Sequence, residues 1–275
     1  MTVRSHGWYQ LAPFGYDPVS GGLSYVFRPG RGKPFKAEVR QKGRALEVNA
    51  RGRTGKKALE MAAAGFKRIL SVDADLSEFH ESLADDPSLA WLPEKRAGRL
   101  LRSPTVFEDL VKTICTTNCS WSLTRSMVSN LVEKLGAEGN GSAAAFPRAE
   151  EMAGVDEGFY REKIKAGYRS AYFVELADAV ASGKIDPESW LDPQLTTEEL
   201  RKRLQSVKGV GRYAAENMLK LLGHFDGLAL DSYLRSEFFK KHNRGRKCND
   251  KKIERHYRKY GRWKGLAIWF DICGE

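Results

Sequence analysis

A glycine hairpin in the second half of the chain is the segment best suited to holding an anion. Residues 204–215 contain Gly209-Val210-Gly211 between two stretches whose apolar residues recur at helical spacing. Both glycines can adopt positive φ and leave backbone N–H groups uncovered where the next helix begins. Amides of a turn at a helix N-terminus suit a phosphate. This pattern predicts a site that grips a phosphate, although an ordinary corner between two helices gives the same pattern.

A single carboxylate follows this hairpin at a fixed distance. Asp231 lies between Ala229-Leu230 and Ser232-Tyr233, at the start of a predicted helix. An aspartate there commonly caps the helix by accepting hydrogen bonds from its first N–H groups. The cap and a catalytic role are compatible, because a capped carboxylate is held rigidly. An acid beside a phosphate cradle predicts chemistry next to a nucleic-acid backbone, with a simple cap as the alternative.

The charge of the chain favours a polyanionic partner. Lys and Arg number 46 against 35 Asp and Glu, so the formal net charge is +11. From Lys240 to Lys264 there are twelve Lys or Arg, with Asp250 and Glu254 as the acids. A stretch of this kind predicts contact with nucleic acid. A merely basic protein with a solvated face is the alternative.

The four cysteines do not form a recognisable metal or disulfide pattern. Cys115, Cys119, Cys248 and Cys273 lack C-x-x-C spacing, so we expect reduced thiols and neither a zinc nor an iron–sulfur site. We find no apolar leader and no apolar run of membrane-spanning length. The sequence predicts a soluble intracellular protein without a membrane partner, cytoplasmic and nucleoid-associated or nuclear, and not secreted.

The elements that position these residues are predicted to be strands first and helices afterwards. Short alternating segments separated by Gly and Pro clusters predict an antiparallel sheet whose strands are residues 8–11, 23–28 and 45–50. From Lys56 the period becomes helical, and one apolar face is predicted to comprise Leu59, Ala62, Ala63 and Phe66.

The second part of the chain is predicted to be a helical body. Ser103 as a cap and Pro104 in the first turn predict a helix start, and a further helix over 122–135 ends at Gly136. Later helices are predicted at residues 148–153, 157–164, 169–182, 196–206, 212–223, 231–242, 250–259 and 263–272. The predicted fold class is α+β, with an N-terminal sheet domain at 1–97 and a helical domain at 98–275.

The hairpin and its downstream aspartate together resemble the signature of a known enzyme superfamily. They are similar to the helix–hairpin–helix, Gly/Pro-rich loop and Asp motif (HhH-GPD) of the base-excision DNA glycosylases. Four further segments resemble the same superfamily, namely residues 100–104, 107–118, 167–172 and 263–270. Two groups are most similar, the 8-oxoguanine DNA glycosylases and the alkylbase (3-methyladenine type II) DNA glycosylases. The resemblance spans most of the chain and is strongest over 98–272.

This resemblance implies an enzyme that flips a damaged base out of double-stranded DNA and cleaves its N-glycosidic bond. Asp231 would be the catalytic carboxylate, stabilising an oxocarbenium-like sugar and orienting the attacking water. Asn118 would fill the gap left by the flipped base, although a loop asparagine is often only a turn residue or a cap. We expect a monomer without a cofactor, apart from a monovalent cation that could bridge the hairpin to a phosphate. The DNA-binding residues implied are Lys208, Gly209, Val210, Gly211 and Arg212, together with Asn118.

The base pocket implied by the resemblance consists of Tyr213, Asn217 and Trp269. The two aromatic faces would sandwich the flipped base, and a cationic alkylated purine would gain cation–π attraction. Asn217, one turn beyond Tyr213, would hydrogen-bond the base edge. Core packing for Trp269 and a solvent-facing position for Asn217 are the alternatives. Further phosphate contacts are predicted for Arg102, Arg125, Arg212 and Arg235.

One departure from the 8-oxoguanine group concerns the nucleophile. In that group a lysine stands two residues after the second hairpin glycine and forms an imine with the sugar, whereas this chain has Tyr213 there, and a phenol forms no imine. Lys208 and Lys220 are predicted to be poorly placed for the same step. We therefore predict a monofunctional glycosylase that uses water to excise alkylated or deaminated purines. The alternatives are an 8-oxoguanine-type glycosylase with or without lyase activity, and a non-catalytic DNA-binding protein.

Overall fold

The computed structural model describes residues 1–30, 32–50, 55–138 and 144–274, and contacts group the backbone into two units. The sheet unit comprises His6–Val72 and Leu101–Ser189. The hairpin unit comprises Met1–Ser5, Asp73–Leu100 and Trp190–Glu275. Each unit is therefore assembled from separate parts of the sequence. The domain boundary between residues 97 and 98 stays a prediction.

The sheet unit contains a four-stranded antiparallel sheet with neighbouring strands in chain order. Its strands are β1 (Gly15–Tyr16), β2 (Leu23–Phe27), β3 (Phe35–Lys42) and β4 (Ala45–Ala50). Leu23 pairs with Val39, and Val39 pairs with Val48. The alternation Phe35, Ala37, Val39 suits a half-buried strand, but our sequence analysis did not include β3.

One predicted strand was wrong. Residues 8–11 were expected to extend the sheet, whereas Gly7–Gln10 forms a 3₁₀ helix. Trp8 is buried there, and its indole Nε1–H donates to Asp109 Oδ1 at 2.8 Å. A buried tryptophan needs an acceptor for its N–H, and this contact across the unit outweighs the local strand propensity.

The helices follow the predicted positions closely. In chain order they are α1 (Lys56–Ile69), α2 (Ser77–Glu81), α3 (Trp91–Glu94), α4 (Val106–Thr116), α5 (Trp121–Leu135), α6 (Ala149–Ala153), α7 (Glu157–Phe159), α8 (Ser170–Ala181), α9 (Thr197–Gln205), α10 (Arg212–Leu222), α11 (Ser232–His242), α12 (Asp250–Tyr257) and α13 (Lys264–Cys273). Sheet and helices together confirm the α+β class, while the order of domains stays a prediction.

Two details of the predicted helices were wrong. On α1 the buried positions are Ala62, Phe66 and Ile69, whereas Leu59 and Ala63 are exposed. Spacings of four and three residues define the buried stripe, and the two exposed positions lie outside it.

The start of α4 also differs from the prediction. Thr105 is its N-cap, with a side chain that accepts from the Glu108 N–H at 3.2 Å. Ser103, predicted as the cap, is fully buried, and its N–H donates to Asp109. Because Ser103 is two residues too early to reach the first free N–H groups, the hydroxyl of Thr105 takes that role.

The hairpin unit has an apolar core of its own. Its buried members are Leu76, Phe79, Leu83, Leu89, Leu92, Ala97, Leu100, Leu228, Phe238, Ile253, Tyr257, Tyr260, Trp263, Leu266, Ala267, Ile268 and Phe270. The amphipathic helices α9 and α10 meet across the hairpin, with Leu204 and Val210 buried beside it. This core supports the elements that carry the candidate site.

Candidate functional site

The glycine hairpin is a tight turn that leaves backbone amides available. Gly209 has φ +87°, a value that other residues rarely adopt. Gly211 has φ −76°, so the expectation of positive φ at both glycines was wrong for Gly211. The Val210 N–H donates to Val207 O at 3.0 Å. Among the described residues, neither Gly209 nor Gly211 donates a backbone hydrogen bond.

Helix α10 starts directly after this turn without a side-chain cap. Gly211 is its N-cap residue, and a Cβ added there would meet nothing within 4 Å. Uncapped N–H groups and the positive end of the helix dipole both favour an anion at this surface. Lys208 and Arg212 are exposed on either side, whereas Val210 is buried between them.

Asp231 is a helix cap with its second oxygen directed at the hairpin helix. Its Oδ1 accepts from the Leu234 N–H at 2.7 Å, which caps α11. Its Oδ2 accepts from the Tyr213 hydroxyl at 3.2 Å. Hydrogen bonds to both oxygens fix the carboxylate, and the residue remains partly exposed. The cap alternative is therefore correct as a description of Oδ1, and it leaves Oδ2 facing Tyr213.

The segment before Asp231 is held by contacts that only glycine permits. A Cβ on Gly227 would overlap the carboxylate of Glu216 on α10, and a Cβ on Gly265 would overlap the carbonyl of Gly227. The Gly265 N–H also donates to Phe225 O at 2.6 Å. Backbone contact of this closeness places the loop between α10 and α13. Contacts with α10 and α13, together with the cap on α11, thus fix the position of Asp231.

Tyr213 combines an exposed ring with a hydroxyl bonded to the carboxylate. The side chain is 37% exposed, which leaves a ring face open to a ligand. Burial of the hydroxyl and the nearby charge of Asp231 hold the pKa of Tyr213 well above its ordinary value. The phenol therefore stays protonated and acts as a hydrogen-bond donor.

Asn217 and Trp269, the other predicted pocket residues, have local partners. The Asn217 amide donates to the Tyr213 carbonyl at 3.0 Å. The Trp269 indole donates to Ser5 O at 2.9 Å, and its ring lies 4.4 Å from the Nζ of Lys220. A cation at this distance is attracted to the ring by about 0.5–2 kcal/mol. Their roles at a base stay predictions.

Lys220 lies at the site, while the expectation that it is poorly placed as a nucleophile stays a prediction. Lys220 is 3% exposed, and its Nζ has no hydrogen-bond partner among the described residues. Burial lowers the pKa of Lys220 to about 8, against the opposing charges of Cys273, Asp231 and Glu216. Its distance of seven residues from Tyr213 could have revealed it, because positions i, i+4 and i+7 share one face of a helix.

The Cys273 thiol belongs to the same group of side chains but is not activated. Burial raises the pKa of Cys273 to about 11, and the ammonium of Lys220 opposes that rise. A protonated, partly buried thiol is a weak nucleophile. The group of Tyr213, Lys220, Asp231 and Cys273 therefore offers a carboxylate and a buried amine as its reactive functions.

A cavity of about 780 Å³ opens beside Tyr213. Arg212, Glu216, Arg235 and Asp250 are among its lining residues, so both charge signs occur. Asp231, Asn217 and Trp269 are not among the described residues that line it. This cavity is adjacent to the candidate acid rather than centred on it.

In the sheet unit, Asn118 occupies a strained and exposed turn. It has φ +46°, and its amide lies 3.5 Å from the Tyr168 hydroxyl. The Arg169 guanidinium stacks at 4.4 Å on the Tyr168 ring, and its Nε–H donates to Ile114 O and Thr117 Oγ1. These contacts hold the end of α4, from which Asn118 projects. Tyr168, 51% exposed, is a candidate surface residue that the sequence analysis did not single out.

Two of the predicted phosphate contacts are disfavoured by the structure. Arg102 is half-buried, with its Nε enclosed, and burial together with Arg68 lowers the pKa of Arg102 to about 10. Arg235 donates twice to Asp250, at 2.8 Å to each oxygen. Arg125 and Arg212 remain exposed, and they keep their predicted role.

One group of side chains in the described part of the chain could hold a metal ion. The ligand atoms of His242, His256 and Asp271 all lie within 4.8 Å of one another. Asp271 already accepts from His242 Nε2 at 2.5 Å and from the Tyr257 hydroxyl, and it pairs with Lys241 at 2.8 Å. These groups satisfy each other as a hydrogen-bonded cluster. The expectation of no metal stays a prediction.

No helix within the described residues is long and apolar enough to cross a membrane.

Solved structures of similar fold extend over nearly the whole chain. MBOgg1, in complex with a low-affinity DNA ligand, is 22% identical, with coverage of 98% of this chain and 89% of its own and a TM-score of 0.76. The 3-methyladenine DNA-glycosylase from Archaeoglobus fulgidus is 20% identical, with coverage of 98% and 93% and a TM-score of 0.76. The Clostridium acetobutylicum 8-oxoguanine glycosylase/lyase, in complex with double-stranded DNA containing cytosine opposite 8-oxoG, is 19% identical, with coverage of 98% and 91% and a TM-score of 0.71.

No protein-family model and no curated protein sequence matches the chain. At the identities given above, the likeness to solved structures defines the fold. The resemblance to DNA glycosylases, drawn from the hairpin and Asp231, is confirmed at that level. Substrate and mechanism have to be argued from the residues of this chain.

Proposed function

We propose that this protein is a DNA glycosylase that flips a damaged purine out of double-stranded DNA and hydrolyses its N-glycosidic bond. The observation that carries the proposal is the pairing of Asp231 with the hairpin helix through Tyr213, at 3.2 Å. A hairpin with uncovered backbone amides and a carboxylate held by two hydrogen bonds occur on neighbouring elements of one unit. DNA binding alone requires the hairpin, whereas catalysis requires both the hairpin and the carboxylate.

The hairpin would position the DNA without reading its sequence. The uncovered amides of Gly209 and Gly211 and the exposed cations Lys208 and Arg212 are suited to phosphate oxygens. A monovalent cation between the turn and a phosphate is compatible with the exposed carbonyl groups of such a turn. Asn118 would occupy the space of the flipped base.

Asp231 would act on the sugar. As the glycosidic bond breaks, positive charge develops on the deoxyribose ring, and a fixed carboxylate stabilises that charge. The same carboxylate can orient a water molecule for attack at C1′. Because the hydrogen bonds from Leu234 and Tyr213 already fix both oxygens, little reorganisation is needed at the moment of reaction.

Tyr213 supports water as the nucleophile. It stands where the 8-oxoguanine group has its imine-forming lysine, and its hydroxyl is committed to Asp231. The proposal is therefore a monofunctional enzyme. Lyase activity from another amine and a non-catalytic DNA-binding protein are treated as outcomes of the test.

The test uses duplexes that carry one hypoxanthine or one alkylated purine. Base release is read as strand breaks after hot alkali, and lyase activity as breaks without alkali. We expect alkali-dependent breaks with the wild type, and their loss in Asp231→Asn with DNA binding retained. Asp156→Asn is the matched control, because Asp156 caps α7 at the same 2.7 Å distance in the sheet unit. Undiminished activity in Asp231→Asn refutes the mechanism, and binding without base release from any duplex refutes the enzyme.

A further inference from the structure

Lys220 is a buried amine without a hydrogen-bond acceptor. The residue is 3% exposed, and its Nζ has no partner among the described residues. Buried polar groups in folded proteins nearly always have a hydrogen-bond partner, because an unpaired group loses its hydrogen bonds to water and gains none in return. An unpaired lysine ammonium is the most costly kind. Such a group is therefore expected to have a partner that is supplied from outside the chain.

The position of Lys220 directs it at the proposed base site. Tyr213, Asn217 and Lys220 are spaced by four and three residues, so they lie along one face of α10. Long side chains on a helix lean towards its N-terminus, which here is the hairpin. The Nζ of Lys220 lies 4.4 Å from the ring of Trp269, the other proposed aromatic of the pocket.

The charges around Lys220 come from each element packed against it. Asp231 begins α11, Cys273 ends α13, and Glu216 is one turn earlier on α10. The carboxylates of Asp231 and Glu216 favour the charged amine, as the Cys273 thiolate would, whereas burial opposes it and lowers the pKa of Lys220 to about 8. Glu216 is itself bonded to Arg201 at 2.8 Å. At pH 7, roughly nine-tenths of Lys220 is protonated.

We propose, on the basis of the proposed glycosylase function, that Lys220 determines which class of purine the site accepts. Its ammonium donates a hydrogen bond to a carbonyl oxygen on an uncharged base. The same ammonium disfavours a cationic N-alkylpurine, because two like charges in a desolvated pocket repel each other. The ammonium also occupies the face of Trp269 that would attract such a cation. Of the alkylated and deaminated purines predicted from the sequence, the deaminated class is therefore preferred, and the oxidised purine of the alternative fits the same hydrogen bond.

The test compares three lesions in otherwise identical duplexes. Hypoxanthine or 8-oxoguanine is neutral and carries a carbonyl, 1,N6-ethenoadenine is neutral and has none, and 3-methyladenine is cationic without a carbonyl. Single-turnover rates are measured for the wild type, Lys220→Met and Lys220→Gln. Lys184→Met, an exposed lysine of the sheet unit, is the control.

We expect the rate on a neutral oxopurine, relative to the rate on 3-methyladenine, to be at least about tenfold higher for the wild type than for Lys220→Met, the effect of one hydrogen bond from a charged donor. Comparing the two proteins cancels the greater intrinsic lability of the glycosidic bond in the cationic lesion. Lys220→Met should lose that preference while its rates on the other two lesions stay or rise. Lys220→Gln, which keeps a donor without the charge, should retain part of it. The wild-type rate on the oxopurine should fall as pH rises through about 8, and this limb should be absent in Lys220→Met.

Different results overturn different statements. An equal loss on all three lesions in both variants means a structural role and refutes the inference alone. A ratio of oxopurine to 3-methyladenine rates that is unchanged in Lys220→Met refutes it as well. A covalent adduct between Lys220 and DNA after borohydride reduction makes the amine a nucleophile, which refutes both this inference and the monofunctional proposal. Absence of base release from every duplex refutes the proposed function itself.

Discussion

Substitution of Asp231 can separate its cap from its charge, because its two oxygens have different partners. Oδ1 caps α11 by accepting from the Leu234 N–H at 2.7 Å, and Oδ2 faces Tyr213 at 3.2 Å. Asparagine is as good an N-cap as aspartate, whereas alanine is a poor one. Asp231→Asn therefore removes the charge and keeps the cap, and Asp231→Ala removes both.

The expected magnitudes differ for stability and for rate. Loss of the cap costs about 1 kcal/mol, which for a chain of this size lowers Tm by about 2–4 °C. A carboxylate about 4 Å from a developing positive charge, at an effective dielectric near 20, contributes about 4 kcal/mol. That corresponds to roughly a thousandfold in rate. The effective dielectric is appropriate because Asp231 is partly exposed.

The assay pairs thermal unfolding with single-turnover base release. Asp231→Asn should unfold at nearly the wild-type temperature and lose roughly a thousandfold in rate. Asp231→Ala should show the same rate loss together with the lower Tm. Asp156→Ala should lower Tm without changing the rate, since Asp156 caps a helix remote in sequence from the site. If Asp231→Asn keeps the wild-type rate, or if it is destabilised as much as Asp231→Ala, the separation of roles is wrong.

Three further predictions concern the hairpin, the nucleophile and the acid limb of stability. Gly209→Ala should destabilise the fold by about 1–2 kcal/mol because of its positive φ. Gly211→Ala should destabilise it by less than about 1 kcal/mol, because alanine is a poorer N-cap than glycine, and should bind DNA about tenfold more weakly, by loss of one charge-assisted contact; equal affinities would contradict an anion site at the turn. Tyr213→Lys should create an adduct with abasic DNA that borohydride traps, and its absence at high pH would mean that this position does not reach C1′. Burial works to raise the pKa of Asp271, but hydrogen bonds from Lys241 and other donors outweigh it and lower that pKa. The stabilisation by ionised Asp271 is therefore present above the unfolded pKa of 3.8 and is lost as pH falls below it. The free energy of unfolding should consequently fall less steeply with acid in Asp271→Asn than in the wild type. Parallel plots of this free energy against pH would contradict the role given to Asp271.

Local patterns in the sequence were sufficient for the hairpin, for the cap at Asp231 and for nearly all helices. Each of these depends on residues close together in the chain, such as the glycine turn and the apolar stripe of α10. The failures have long-range causes. Gly7–Gln10 forms a 3₁₀ helix, in place of the strand expected at 8–11, because Trp8 finds its acceptor in Asp109, far along the sequence. The cap of α4 moved from Ser103 to Thr105 because Ser103 is buried in the sheet unit.

The candidate site was predicted less completely than the fold. The contact between Tyr213 and Asp231 follows from two motifs, but its geometry needed the structure. Lys220 was considered only as a nucleophile, and its burial beside Trp269 was not foreseen. A lysine side chain that leans along the helix covers much of the two turns that separate it from Tyr213. Burial, which gives Lys220 its interest, has no signature in a single sequence.

The close approach of Gly227 and Gly265 has a consequence for engineering the specificity of this protein. The loop that leads to Asp231 approaches α13 backbone to backbone at Gly265, where a Cβ would lie 2.1 Å from the carbonyl oxygen of Gly227, and it meets α10 through the carboxylate of Glu216. A side chain at position 265 therefore cannot be absorbed by a new rotamer of a neighbour. A redesigned pocket would have to transplant α10, the loop and the start of α13 as a single block, and swapping the hairpin by itself would displace the acid it is meant to serve.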